Sequence, residues 1–156
     1  MMTQRLMPFR QSLFQMHRHL LQALKAEREH HFQREFAPAE WLNLVTGAPE
    51  YRWLAPLTRY LADVDALSEW PGIAESDLQL VRQVWEDFFR ESEGEESFRA
   101  RYQRLLQKDS DLLISHSHLR KHLEALPAAS TTPIADADER RQAWHERTRK
   151  NRSDLN

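Results

Sequence analysis

Apolar residues recur along this chain at the three-to-four-residue spacing of a helix face, in one segment after another. The first segment opens with Pro8, suited to the first position of a helix, and runs to about Phe36. At about 100° per residue, Phe9, Leu13, Met16, Leu20 and Leu24 fall on one narrow stripe, which Phe14, Leu21 and Phe32 widen. At about 1.5 Å per residue the helix would be roughly 43 Å long, the spine of the fold.

Proline and glycine punctuate the rest of the chain. Pro38 starts a short helix, Ala39 to Thr46, with Gly47 as its C-cap. Pro49 opens a segment whose stripe is Trp53, Leu57, Leu61 and Val64, and Pro56 inside it implies a kink or a restart. After the Trp70-Pro71-Gly72 loop, Ser76 and Gln79 form a candidate capping box for a helix burying Leu78, Val81, Trp85 and Phe88, which Gly94 stops. Glu95 and Glu96 suit a further helix N-terminus, with Phe98, Tyr102, Leu105 and Leu106 as its apolar face. Asp109 or Ser110 caps the last core helix, striped by Leu112, Leu119, Leu123 and Leu126. No segment alternates in the manner of a strand. The pattern predicts an all-α, antiparallel bundle of five to six helices over residues 1–127. Beyond Pro127 the composition turns small, polar and then charged, so residues 128–156 read as a flexible or partly helical tail.

Composition narrows the partners. The net charge of −2 gives no electrostatic reason to expect nucleic acid or an anionic membrane. No apolar run is long enough for a membrane span, and the N-terminus lacks the apolar stretch of a signal peptide, which points to the cytoplasm. The absence of cysteine removes disulfides, zinc ribbons and thiol nucleophiles.

Candidate chemistry begins where the first stripe continues past Leu24 onto Glu27 and His31, which would then project into the bundle, with His17 at the edge of that face. With His118 and His122 of the last helix, Glu27 and His31 could supply four ligands to a transition metal. The di-iron and zincin spacings are absent. The plainer explanation is a hydrogen-bonded pair completed by Arg28 or Arg120. No phosphate loop, nucleophile elbow or dinucleotide fingerprint is present, so Glu27 or His31 as a general base would lack recognisable machinery, and no cofactor is expected. Of the tryptophans, Trp41 and Trp70 suit the ends of the core. Trp144 stands among Arg140, Arg141 and Arg147, as an anchor that docks on a partner or on its own bundle. The acidic stretch from Glu86 to Glu96 and the basic end at Arg149, Lys150 and Arg152 favour attraction within the chain.

Two stretches carry a resemblance. His17-x-x-Leu20 followed by Glu27-Arg28, and Pro49-x-Tyr51-x-Trp53-Leu54-x-Pro56-Leu57-Thr58, resemble small bacterial helical-bundle proteins of uncharacterised function, over roughly Met1 to Trp70. The resemblance implies a bacterial origin and a bundle, and it carries no activity or cofactor. It also implies one polar–aromatic junction of Glu27, Arg28 and the Tyr51–Trp53 stretch. In that junction Trp53 would cover the Glu27–His31 turn and Arg28 would pair with Asp63 or Asp65. The expected function is interaction with another protein or self-association rather than catalysis, with Glu27, Arg28, His31, Trp53 and Trp144 as binding residues.

Overall fold

The computed structural model describes residues 2–90, 97–128 and 137–154 (147, 148 and 151–154 by backbone only). These residues form seven α-helices, one 3-10 helix and no strand: α1 (Met2–Phe32), α2 (Pro38–Gly47), the 3-10 helix (Pro49–Leu54), α3 (Ala55–Ser68), α4 (Glu75–Asp87), α5 (Phe98–Lys108), α6 (Ser110–Glu124) and α7 (Ala137–Asp154). No helix among them is long and apolar enough to cross a membrane.

The long α1 organises an antiparallel bundle. Its stripe residues Phe9, Leu13, Met16 and Leu20 are fully buried, and Leu24 nearly so. Along it α6 runs in the opposite direction: the Arg5 guanidinium donates to the Ala125 carbonyl (3.1 Å) at one end, and His19 meets Ser115 further on. α3 also lies antiparallel to α1. Phe9 packs edge-on against Tyr60, and Arg10 binds Asp65 through Nε (3.1 Å). α4 and α5 close the bundle with an aromatic cluster of Trp85, Phe88, Phe89, Phe98 and Tyr102.

The helix ends differ from expectation in instructive places. α1 starts at Met2, so Pro8 lies inside it and not at its first position. The turns before Pro8 hold because Leu6 is fully buried, and burying such a side chain is worth about 2 kcal/mol against the donor that proline lacks. α1 ends at Phe32, and the chain reverses through Gln33 in the left-handed region (φ 52°). Gly47 belongs to α2 and is not a left-handed cap: Ala48 follows in extended geometry and donates to the Leu44 carbonyl (2.9 Å), a position any residue can hold. Pro56 is a restart, since the 3-10 helix gives way to α3 one residue earlier. The Ser76–Gln79 capping box does not form. Ala74 is the N-cap of α4, and Asp77 supplies the reciprocal half by accepting from its backbone N–H (2.9 Å). Asp109 caps α6 as expected, accepting from Leu112 N–H (2.9 Å), and Ser97 caps α5. The proposed roles of Gly94, Glu95 and Glu96 fall outside the described residues. The charged C-terminal segment forms α7, seated on α3.

Candidate functional site

Three places bring chemistry together. The first is a groove of about 520 Å³ between α1, α2, the 3-10 helix and α3. Two prolines build it. Pro38 starts α2 and Pro49 starts the 3-10 helix, so the chain turns on either side of the short α2 and leaves a trough beside α1. Leu21, Leu42, Val45 and Leu54 contribute apolar surface, and Leu42 at the lip is 60% exposed. Its charged or titratable lining residues are His17, Arg52 and Arg59, together with the Tyr51 phenol, and no carboxylate lines it. Neither Arg52 nor Arg59 has an ion-pair partner among the described residues. Burial pushes the half-buried His17 imidazole down from its usual value, which favours the neutral ring.

The second is a wider, polar cleft of about 840 Å³ between α3, α4 and α7. His145 Nε2 lies 2.7 Å from Asp63 Oδ1, and Arg141 pairs with Asp138 at 3.1 Å. Beside it, Trp144 is 3% exposed. Arg140 reaches Ser76 (2.6 Å) and Asp77 (3.2 Å), whose side chain is almost wholly buried.

The third is a polar–aromatic junction at the far end of α1. Arg28 pairs with Glu50, and its guanidinium lies over the Phe32 ring (4.8 Å) and the Tyr51 ring (5.9 Å). Trp41, also buried, packs edge-on against Tyr51 (5.4 Å). Glu27 and Trp53 line one small cavity of about 120 Å³ with Arg101 and Arg104, and the Arg101 guanidinium sits 5.8 Å from the Trp53 ring centroid.

Glu27, Arg28 and Trp53 are therefore brought together, whereas His31 and Trp144 are not part of that junction. Two details are corrected. Arg28 takes Glu50 in place of Asp63 or Asp65, because those carboxylates are held elsewhere, by His145 and Arg10. Glu27 and His31 do not project into the bundle but are exposed, since α1 (31 residues) outruns its antiparallel neighbour α6 (15 residues) and its last turns lie beyond that helix. His31 instead rests edge-on against Phe32 (4.8 Å). On α6, His118 is exposed and His122 half-buried. The four-ligand set of Glu27, His31, His118 and His122 is not assembled, and among the described residues no three histidine, aspartate or glutamate side chains cluster as a metal site.

The half-buried His116 borders the aromatic cluster beside Trp85 and Tyr102. Its Nδ1 accepts from the Tyr102 hydroxyl (2.8 Å). Burial, reinforced by the Arg120 charge, pushes the His116 imidazole down, and burial pushes the Tyr102 phenol far up, so a protonated phenol faces a neutral ring. A pH dependence is the consequence. For His17 and His116 the folded value lies below the unfolded one, near 6.5, so the unfolded chain binds more protons at mildly acid pH. Their neutral-state stability is fully present above that value and is lost as the pH falls through it. The urea midpoint is expected to drop between pH 7.5 and 5.5, and a His17→Gln/His116→Gln variant is expected to flatten the drop. An equally steep drop in that variant would remove both histidines from the account.

The residues that sequence reasoning missed are Asp77 and Arg52, together with the pairing of Asp63 with His145. Nothing in the periodicity marks them, because each is a single charge set apart from its helix's apolar repeat. Comparison with protein-family models, curated proteins and solved structures gives no match.

Proposed function

We propose that this chain is a binding protein whose α1–α2–α3 groove receives an acidic amphipathic helix of a protein partner. The observation that carries this reading is the pairing of apolar walls with two arginines, Arg52 and Arg59, with no carboxylate, and with an exposed Leu42 at the lip. A concave, mostly apolar site with a few convergent polar groups is the usual form of a ligand pocket. An amphipathic helix laid in a groove buries leucines at i, i+3 and i+7 while its flanks meet the rim charges. Arginine is suited to such a rim, because its planar fork binds carboxylates in pairs. Catalysis would need a positioned nucleophile paired with a base, and the groove offers a neutral-leaning imidazole and a phenol with no carboxylate beside them.

The test is fluorescence anisotropy with a labelled peptide that carries leucines at helical spacing and glutamates elsewhere. Binding is expected to weaken about tenfold, or roughly 1.4 kcal/mol, in Arg52→Glu, and similarly in Leu42→Asp. It is also expected to weaken with added salt, because the rim is exposed. If a lysine-substituted peptide bound as well, or if Arg52→Glu made no difference, the groove would not be the recognition site.

A further inference from the structure

The seat of α7 has a defined recognition chemistry. Trp144 lies with Val64, Leu80, Val81 and Val84 around a small recess on α3 and α4. The body meets the helix with acidic and hydroxyl groups: Asp63 holds His145, and Asp77 with Ser76 holds Arg140. Asp138, Glu139, Gln142, Glu146, Arg149 and Lys150 of α7 are exposed, and Asp138, Gln142, Glu146 and Arg149 border the open cleft against α3 and α4. One buried tryptophan beside an arginine on a nearly buried carboxylate is the arrangement that dominates protein–protein recognition. Here it joins two parts of one chain, connected through residues 129–136.

We infer that the α3–α4 face is a receptor for a basic, Trp-bearing helix, and that α7 of a second copy can occupy it, so that two copies pair by exchanging α7. The face is distinct from the groove, and the inference does not rest on the groove reading. Exchange adds no new kind of contact, because each copy makes with its partner the contacts it otherwise makes with itself, in the self-complementary manner of a two-fold dimer. A tethered helix competes at an effective concentration in the millimolar range, so the unaltered chain at micromolar concentration keeps its own α7. Exchange becomes visible when one copy lacks the anchor and the other lacks the receptor.

Two full-length variants separate these roles. Trp144→Ala keeps the face and loses the anchor. Asp63→Arg/Val84→Arg keeps Trp144 and changes the face at two half-buried positions. Each alone is expected to sediment as a monomer at about 20 µM, and an equimolar mixture is expected to give a 1:1 complex. A labelled peptide of residues 137–154 is expected to bind the Trp144→Ala chain and not the unaltered one. The inference is overturned if the mixture stays monomeric at about 200 µM while both variants keep the parent helical circular dichroism. Peptide binding without any chain–chain complex would also overturn it, making the face a receptor for free helices and not for a second copy.

Discussion

Tyr102→Ala is expected to lower the unfolding free energy by about 3–5 kcal/mol, the range for removing a fully buried aromatic ring. Tyr102 has no exposed surface and stands at the centre of the aromatic cluster. It stacks on Phe98 (5.4 Å, 16° between planes) and meets the edges of Phe89 (5.9 Å) and Trp85 (6.4 Å). It also decides whether α5 stays attached. Tyr102 and Leu105 are the buried side chains of α5, so without the ring this short, mostly polar helix would rest on Leu105 and the partly buried Phe98 and Leu106. Tyr102→Phe separates the two contributions. It keeps the ring contacts and removes the hydroxyl that His116 Nδ1 accepts from, at an expected cost of about 1 kcal/mol. Urea denaturation of both variants measures this directly. A loss near 1 kcal/mol for the alanine variant would show that α5 lies outside the cooperative core.

The fate of the α1 stripe shows what periodicity can and cannot say. Phe9, Leu13, Met16, Leu20 and Leu24 were legible because a helix repeats its face every few residues and each was apolar. Glu27 and His31 continue the same line geometrically, but direction on a helix implies burial only where another element lies opposite. How far α6 reaches along α1 depends on loop paths, which no local pattern encodes. The Glu27–Arg28–Trp53 junction was readable as a meeting of two segments. The pairing of Arg28 with Glu50 was not, because any of several carboxylates nearby in sequence could have served. The groove was hidden for a related reason. Each of Leu42, Arg52 and Arg59 is unremarkable on its own helix, and their convergence follows from how α2 and the 3-10 helix turn against α1. Trp144 stood out because an aromatic in a charged segment has no solvated use. Its receptor, Asp63 and Asp77, did not, since isolated acids on helix faces are common.

Trp144→Ala is expected to release α7 while leaving the bundle intact. An isolated helix of this length is marginal in water, so α7 is held helical mainly by its seat on the body. Trp144 is the one buried side chain among the described residues of α7. The ties through Arg140 and His145 involve partly exposed side chains and are each worth roughly 1 kcal/mol or less. Removing the indole therefore takes away most of the docking free energy, about 3 kcal/mol at the low end for such a truncation. At about 1.4 kcal/mol per tenfold, that is roughly a hundredfold increase in local opening. Amide hydrogen exchange reads it site by site: amides of residues 137–154 should exchange about a hundredfold faster, while those of α1, α3 and α6 change little. The thermal midpoint of the bundle should stay close to that of the parent, because the core residues of α1 and α6 do not touch the lost contact. If protection were lost throughout the chain, α7 would belong to the cooperative core rather than being a detachable element seated on it. If α7 kept its protection, Arg140–Asp77 and His145–Asp63 would be the dominant ties, and the seat would depend on charge and salt more than on the tryptophan.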